Sequence, residues 1–200
     1  KYPRFSGTAV QRDFVEFPSQ VNEMWILDPQ IVDNYARHYQ SAERLPQNWI
    51  DKLEESSTFN EGHATTSYMA AAILDLAWHS LSSNEVVSDV EKFEAEAIES
   101  YGLTYDCVPT RYRSSYFSHI FAGGYSAGYY GYIWAEVFDA DTGEWFKENG
   151  GLSRKNGDHL RSKLMSQGGS IDSLEMFRNF RGRDAVIEPL LHRRGLVKHE

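Results

Sequence analysis

The sequence predicts an all-α, multi-helical fold. Three observations carry that reading. Apolar residues recur at spacings of three and four over long stretches, as one face of a helix requires. Helix-starting pairs such as Asp28-Pro29 and helix-ending glycines such as Gly102 punctuate those stretches. No segment reads convincingly as a strand.

The elements follow in order. Residues 1–9 are loop-like, broken by Pro3 and Gly7. A helix is expected from about Thr8, as its cap, to Trp25, with Val10, Phe14, Phe17, Val21, Met24 and Trp25 on one face. Pro18 should kink it just beyond Glu16. Asp28 caps a helix opened by Pro29 and reaching about Gln40, and Pro46 opens a short one that buries Trp49, Ile50 and Leu53. Residues 60–81 form the longest helix; it is apolar nearly all round apart from Asp75, and therefore central. A charged amphipathic helix covers residues 88–101, and residues 103–117 are irregular. Helices are then expected over 129–148, closed by Asn149-Gly150-Gly151, and over 155–167, closed by Gly168-Gly169. Ser170 or Asp172 starts a helix to about Phe180, and Asp184 starts the last, which ends near Arg194-Gly195.

Composition narrows the function. The 41% hydrophobic and 14% aromatic content belongs to a folded globular chain of 200 residues, enough for one domain or part of a larger one. A net charge of −9 argues against a nucleic-acid partner, which needs clustered Lys and Arg. No apolar run approaches eighteen residues, so no membrane span is expected. Cys107 stands alone, so no internal disulfide forms. The chain opens Lys1-Tyr2-Pro3, without an initiator Met or a signal-peptide pattern, and reads as a fragment of a longer protein.

Two constellations can carry chemistry. Asp13 and Glu16 are i, i+3 neighbours among aromatic and aliphatic residues, so they read either as a solvated pair or as half-buried carboxylates that need a cation. Zinc suits such a pair when histidines join it. The seven histidines include no H-E-x-x-H pair. His38 and His159 read as surface residues, His192 and His199 as tail residues, and His63 and His79 as hydrogen-bonded core or interface groups. The second constellation is Ser118–Trp134, which holds His119, Tyr125, Tyr129 and Tyr132 among four glycines. Its first half is too glycine-rich for a stable helix interior. Phenols and an imidazole on such a loop can donate to an oxyanion, although an aromatic core segment fits the composition as well. Arg111 and Arg113, just upstream, suit either the carboxylate terminus of a ligand or a solvated surface.

At these residues a family resemblance enters. RFSGTAVQRDFVEFPSQVNEMW, FNEGHATTSYMAAAILDLAWHSL, YRSSYFSHIFAGGYSAGYYGYIWAEVFDAD and FRGRDAVIEPLLHRRGL resemble, in order, the thimet oligopeptidase and peptidyl-dipeptidase family of zinc metallopeptidases. YFSHIFAGGY and LLHRRGL resemble its bacterial peptidyl-dipeptidase branch most. The resemblance implies that residues 1–200 are the C-terminal portion of the catalytic domain of a two-lobed, deep-channel enzyme. It implies one zinc, held by two histidines of an H-E-x-x-H helix upstream of Lys1 and by Glu16. Asp13 would orient a histidine ligand. His119, Tyr125 and Tyr132 would be catalytic, binding substrate together with Tyr129. The intact protein would release C-terminal dipeptides from short peptides, while the chain alone, lacking the general base and two ligands, would be inactive and bind zinc weakly. An oligo-endopeptidase of the same family and a non-catalytic helical module are the alternatives. Short peptides and the missing N-terminal part of the same protein are the implied partners. The family's usual setting is the cytoplasm, and an export signal ahead of Lys1 would change that.

Overall fold

The computed structural model describes residues 2–197. Among them the regular structure is helical, with no strand beyond an isolated antiparallel bridge between Arg37 and Arg44. In chain order the α-helices are α1 (Phe17–Glu23), α2 (Pro29–Tyr35), α3 (Gln47–Ser56), α4 (Glu61–His79), α5 (Val90–Ser100), α6 (Ser118–Phe121), α7 (Gly131–Glu148), α8 (Arg154–Leu160), α9 (Ser173–Arg181) and α10 (Glu188–Arg193). The all-α expectation holds. The chain forms two units, one from Lys1–Phe59 with Ile133–Glu200 and one from Asn60–Tyr132.

The first unit closes around an aromatic core. Phe14 and Phe17 stack with centroids 4.9 Å apart, Phe14 meets Phe138 edge-on at 5.8 Å, and Phe138 meets Phe177 at 5.0 Å. Trp25 packs on Phe146 at 4.7 Å, and Trp145 packs on Phe180 at 4.7 Å. Each fully buried ring of this kind contributes about 1.5–3 kcal/mol of transfer free energy. The expected apolar face of residues 10–25 is therefore real, but the helix beneath it is not. Residues 12–16 are turns, and α1 begins only at Phe17, with Glu16 at its N-cap position. Pro18 lies in the first turn of α1, where its missing N–H leaves nothing unpaired, so it starts a helix and does not kink one. Thr8 caps nothing in this turn-rich segment.

Other boundaries follow their caps. Asp28 accepts from the Gln30 N–H at 2.9 Å, as expected, but α2 stops at Tyr35 and not near Gln40. In α3 only Ile50 is buried; Trp49 and Leu53 are half exposed, against expectation, and Lys52 lies over the Trp49 ring at 5.0 Å. Asp172 accepts from the Leu174 and Glu175 N–H groups and begins α9. Asp184 does not begin the last helix. It pairs with Arg178, and Ile187 precedes α10. The helix expected over 155–167 is α8 followed by a π turn at Arg161–Met165. Gly168 and Gly169 end it where backbone comes close. A Cβ on Gly169 would lie 2.1 Å from the Ala9 carbonyl oxygen.

In the first unit four basic residues fasten the end of the described chain onto α7. Arg181 donates to Asp141 at 2.9 Å and to both Glu148 oxygens at 2.6 and 2.7 Å. Arg183 reaches Asp141 at 2.5 and 2.8 Å, Arg193 bonds Asp139, and Arg194 bonds Glu136 at 2.5 Å. Asp139 and Asp141 are buried, so without these arginines α7 would carry unpaired charges inside the unit. Burial pushes Asp141 upward, but hydrogen bonds from Arg183, Arg181 and the Val186 N–H outweigh it and hold the carboxyl below its ordinary value.

The second unit is organised by α4, whose buried residues are Tyr68, Ala70, Ala71, Ala72, Leu74 and Asp75. Leu76 is exposed, so α4 is buried on one face and not all round. Asp89 caps α5 through the Lys92 N–H at 3.0 Å, and the Gly102 N–H closes it onto the Glu99 carbonyl at 2.8 Å. Trp78 of α4 packs on Phe93 of α5 at 4.3 Å and donates to the Ser114 Oγ at 2.9 Å.

Candidate active site

The loop between α6 and α7 brings four predicted site residues together. The His119 ring lies 6.0 Å from Tyr125, 5.8 Å from Tyr129 and 6.4 Å from Tyr132, centroid to centroid. Tyr125 and Tyr132 stack at 5.3 Å with an interplanar angle of 14°. These two phenols and His119 are half-buried, while Tyr129 is buried behind them. Three half-buried polar rings over a buried one make a surface that can donate hydrogen bonds to a bound peptide.

The loop is shaped by local bonds. The short helix α6 holds Ser118–Phe121, a turn more than the glycine content predicts. Both Ala122 and Gly123 N–H groups then donate to the Ser118 carbonyl, at 2.8 and 2.7 Å. Gly123 has no room for a side chain, since a Cβ there would sit 2.9 Å from the His119 carbonyl oxygen. The Tyr125 N–H donates to that same carbonyl at 3.1 Å. The His119 backbone is thus tied to the tyrosine that faces its ring.

Beneath the loop sits Asp75, fully buried on α4. Its Oδ1 accepts from the Ala127 N–H at 2.9 Å and its Oδ2 from the Tyr129 N–H at 2.8 Å. Ala127 has φ +52°, a left-handed conformation that a non-glycine residue keeps only when surrounding bonds impose it. The His79 Nδ1 lies 2.8 Å from the Asp75 carboxylate and 2.9 Å from the Asp75 carbonyl. Both neighbours are acceptors, so Nδ1 carries the proton. Asp75 is a positioning residue whose one signal in the sequence is a lone acid in an apolar helix with a histidine four residues on.

The two arginines upstream differ. Arg113 is paired with the buried Glu94, which also accepts from the Ser114 N–H at 2.8 Å and Oγ at 2.9 Å. Arg111 is exposed, lies over the Tyr68 ring at 5.1 Å and hydrogen-bonds the Tyr129 hydroxyl. That bond raises the Arg111 pKa, and burial raises that of the Tyr129 phenol.

Asp13 and Glu16 belong to the first unit and are half-buried, on turns and not on a helix face. The Glu16 backbone carbonyl accepts the first-turn N–H groups of Ser19 and Gln20 at 3.1 and 3.0 Å, which fixes its position. Among the described residues no group of three or more His, Cys, Asp or Glu can hold a metal. A catalytic zinc site takes three protein ligands, so the residues present do not make one by themselves. The other histidines have local roles. His159 stacks on Trp145 at 4.9 Å and bonds the Phe180 carbonyl at 3.0 Å, so it is no surface residue. His63, read as a hydrogen-bonded core or interface group, is exposed and so is no core residue; His38 is exposed as expected, though not on a helix; His192 is half-buried on α10; His199 lies outside the described residues. Cys107 is a free, exposed thiol. No helix among the described residues is long and apolar enough to cross a membrane.

With this geometry in place, comparison with known proteins is direct. The chain is 45% identical over 196 residues to a dipeptidyl carboxypeptidase of Escherichia coli, covering 98% of this chain and 29% of that protein. A dipeptidyl carboxypeptidase of Salmonella typhimurium is 43% identical over the same 98% of this chain and 29% of its own length. Oligopeptidase A of Haemophilus influenzae is 30% identical over 189 residues, 92% of this chain and 27% of that protein. The chain therefore spans about three tenths of the length of these relatives. The profile of Peptidase family M3 matches residues 1–196. A match over nearly every residue places the chain in Peptidase family M3, a family of zinc metallopeptidases.

Proposed function

We propose that the protein containing this chain hydrolyses short peptides and releases dipeptides from their C-termini. The observation that carries the reading is the His119, Tyr125 and Tyr132 cluster, held above Asp75. In this reading Tyr132, with Tyr125 stacked on it, donates to the oxyanion that develops on the scissile carbonyl, and His119 holds substrate backbone. Tyr129 supports both from below. Glu16 is the one zinc ligand this chain offers, with Asp13 orienting a histidine ligand supplied from outside it. Zinc, when bound, supplies the activated water. The greater likeness to dipeptidyl carboxypeptidases than to oligopeptidase A favours dipeptide release over internal cleavage.

Tyr132→Phe in the full-length protein tests the central role. Loss of one oxyanion donor should lower kcat by about 10²-fold or more. An unchanged kcat would remove Tyr132 from the mechanism, and internal fragments as first products would favour the oligo-endopeptidase reading. The chain by itself should show no peptidase activity and only weak zinc binding, and stoichiometric zinc uptake in a titration would contradict that.

A further inference from the structure

We propose that Asn149 is a site of spontaneous deamidation, and that its conversion to isoaspartate releases Asn156, otherwise protected, to react after it.

The sequence contains two Asn-Gly pairs, Asn149-Gly150 and Asn156-Gly157. An asparagine followed by glycine is the pair most open to ring closure, because no Cβ shields the glycine amide nitrogen from the asparagine side chain. In the reaction the glycine N–H gives up its proton, the nitrogen bonds to the asparagine Cγ, and the side-chain nitrogen leaves as ammonia, carrying that proton. Water then opens the five-membered imide at either carbonyl, leaving aspartate or isoaspartate. The reacting residue must therefore free two groups from their hydrogen bonds, its own side-chain amide and the N–H that follows it.

The structure separates the two pairs. Asn149 lies in the exposed turn that follows α7. Its Nδ2 donates to the Trp145 carbonyl at 2.8 Å, and the Gly150 N–H donates to the Lys147 carbonyl at 3.2 Å. Both bonds belong to the end of a helix, which frays at least cost. Gly150 and Gly151 follow at φ +84° and +79°, so no further helical turn covers the site. Asn156 is only 6% exposed and lies in the first turn of α8. Its Nδ2 donates to two carbonyls, of Asn149 at 3.0 Å and of Gly151 at 2.8 Å, while the Gly157 N–H donates to the Ser153 carbonyl at 2.9 Å. One bond more to break, with a buried side chain to expose, puts Asn156 at least about tenfold behind Asn149.

The two sites are also joined, since Asn156 is held by the very turn that reacts. In isoaspartate the main chain runs on through Cβ and Cγ, one atom longer than before. The former Asn149 peptide carbonyl becomes a free carboxylate beside the chain. One acceptor of the Asn156 amide then leaves the backbone, and its spacing from the Gly151 carbonyl is lost. The second Asn-Gly pair thereby loses the bridge that protected it.

The test ages the full-length protein under native conditions and follows both asparagines by peptide mass, with an isoaspartate-directed methyltransferase counting the isoaspartate formed. Asn149 should convert at least about tenfold faster than Asn156. Peptides spanning both positions should show conversion at 156 only where 149 has already reacted. In the unfolded protein the two should convert at similar rates. Asn149→Gln keeps the backbone and removes the first reaction, so Asn156 should then stay intact over the same interval. Native protein that converts the two asparagines in the unfolded ratio, or leaves Asn149 intact while the unfolded chain converts it, overturns the assignment. Conversion of Asn156 in Asn149→Gln at its rate in the unmodified protein overturns the release.

Discussion

Asp75→Asn offers the sharpest test of how the tyrosine loop is held. The carboxylate accepts two backbone N–H groups, from Ala127 and Tyr129, at a position with no exposed surface. Asn presents one oxygen and one NH2, so at least one of those two N–H groups faces a donor and is left unpaired. Stranding a buried donor that was bonded to a charged acceptor costs about 1.5–3 kcal/mol. Ala127 sits at φ +52° in the closed loop of either variant, so its strain cancels from the difference. The substitution therefore shifts the closed-to-open balance of the loop by about 2 kcal/mol, a factor of about 30. The assay is hydrogen exchange at the Ala127 and Tyr129 amides, which should lose protection by about 30-fold, while amides in the first unit hold theirs. In the full-length protein kcat/KM should fall by no more than about twofold while the closed loop remains the majority state, because only the closed fraction binds substrate. Unchanged protection at both amides would refute the clamp, whatever happens to activity.

Two further outcomes concern the first unit. Burial raises the Asp139 carboxyl to about 6, above an ordinary 3.8 that its bond to Arg193 fails to restore. A raised folded pKa means that this group's contribution is present below about 3.8 and lost as pH rises through about 6, a swing of about 3 kcal/mol. Melting curves of the protein and of Asp139→Asn should therefore differ progressively more against the native residue across that window; a gap independent of pH would refute the assignment. Gly169→Ala drives a Cβ to 2.1 Å from the Ala9 carbonyl oxygen, which only a backbone shift relieves. Denaturant unfolding should show a loss of about 1–3 kcal/mol, with the slope unchanged. A neutral effect would mean that residues 5–10 do not pack as described.

Helix content was legible because its signals are local. Asp28 before Pro29, Asp172 before α9 and Gly102 after α5 each act within four residues of themselves. The failures share one cause. Residues 10–16 carry helical apolar spacing, yet successive turns put Phe14 and Phe17 against the same core, and a proline in the first turn begins the helix there. Spacing reports which residues face inward, not the backbone that brings them there. The candidate site was legible as to which residues it contains, His119, Tyr125, Tyr129 and Tyr132. What holds them was not, because Asp75 reaches its partners across 52 and 54 residues. Nor did sequence divide the labour of Arg111 and Arg113; only the position of Glu94 does that. The closing motifs FRGRD and LLHRRGL were legible as family likeness alone, and their arginines prove to be counter-charges for buried acids on α7.

The division of the chain also dictates an order of assembly. The unit Asn60–Tyr132 is one unbroken run, whereas the other joins segments from either side of it. Gln11, for example, bonds Asp172 at 2.8 Å across 161 residues. During synthesis Tyr132 emerges 40 residues before Asp172, a lead of about 2–8 s at ordinary ribosomal rates, which vastly exceeds the time helices need to form. The run that carries the tyrosine loop can thus settle while Phe14 and Phe17 still await Phe177 and Phe180. For that interval the nascent chain exposes an unfinished aromatic surface.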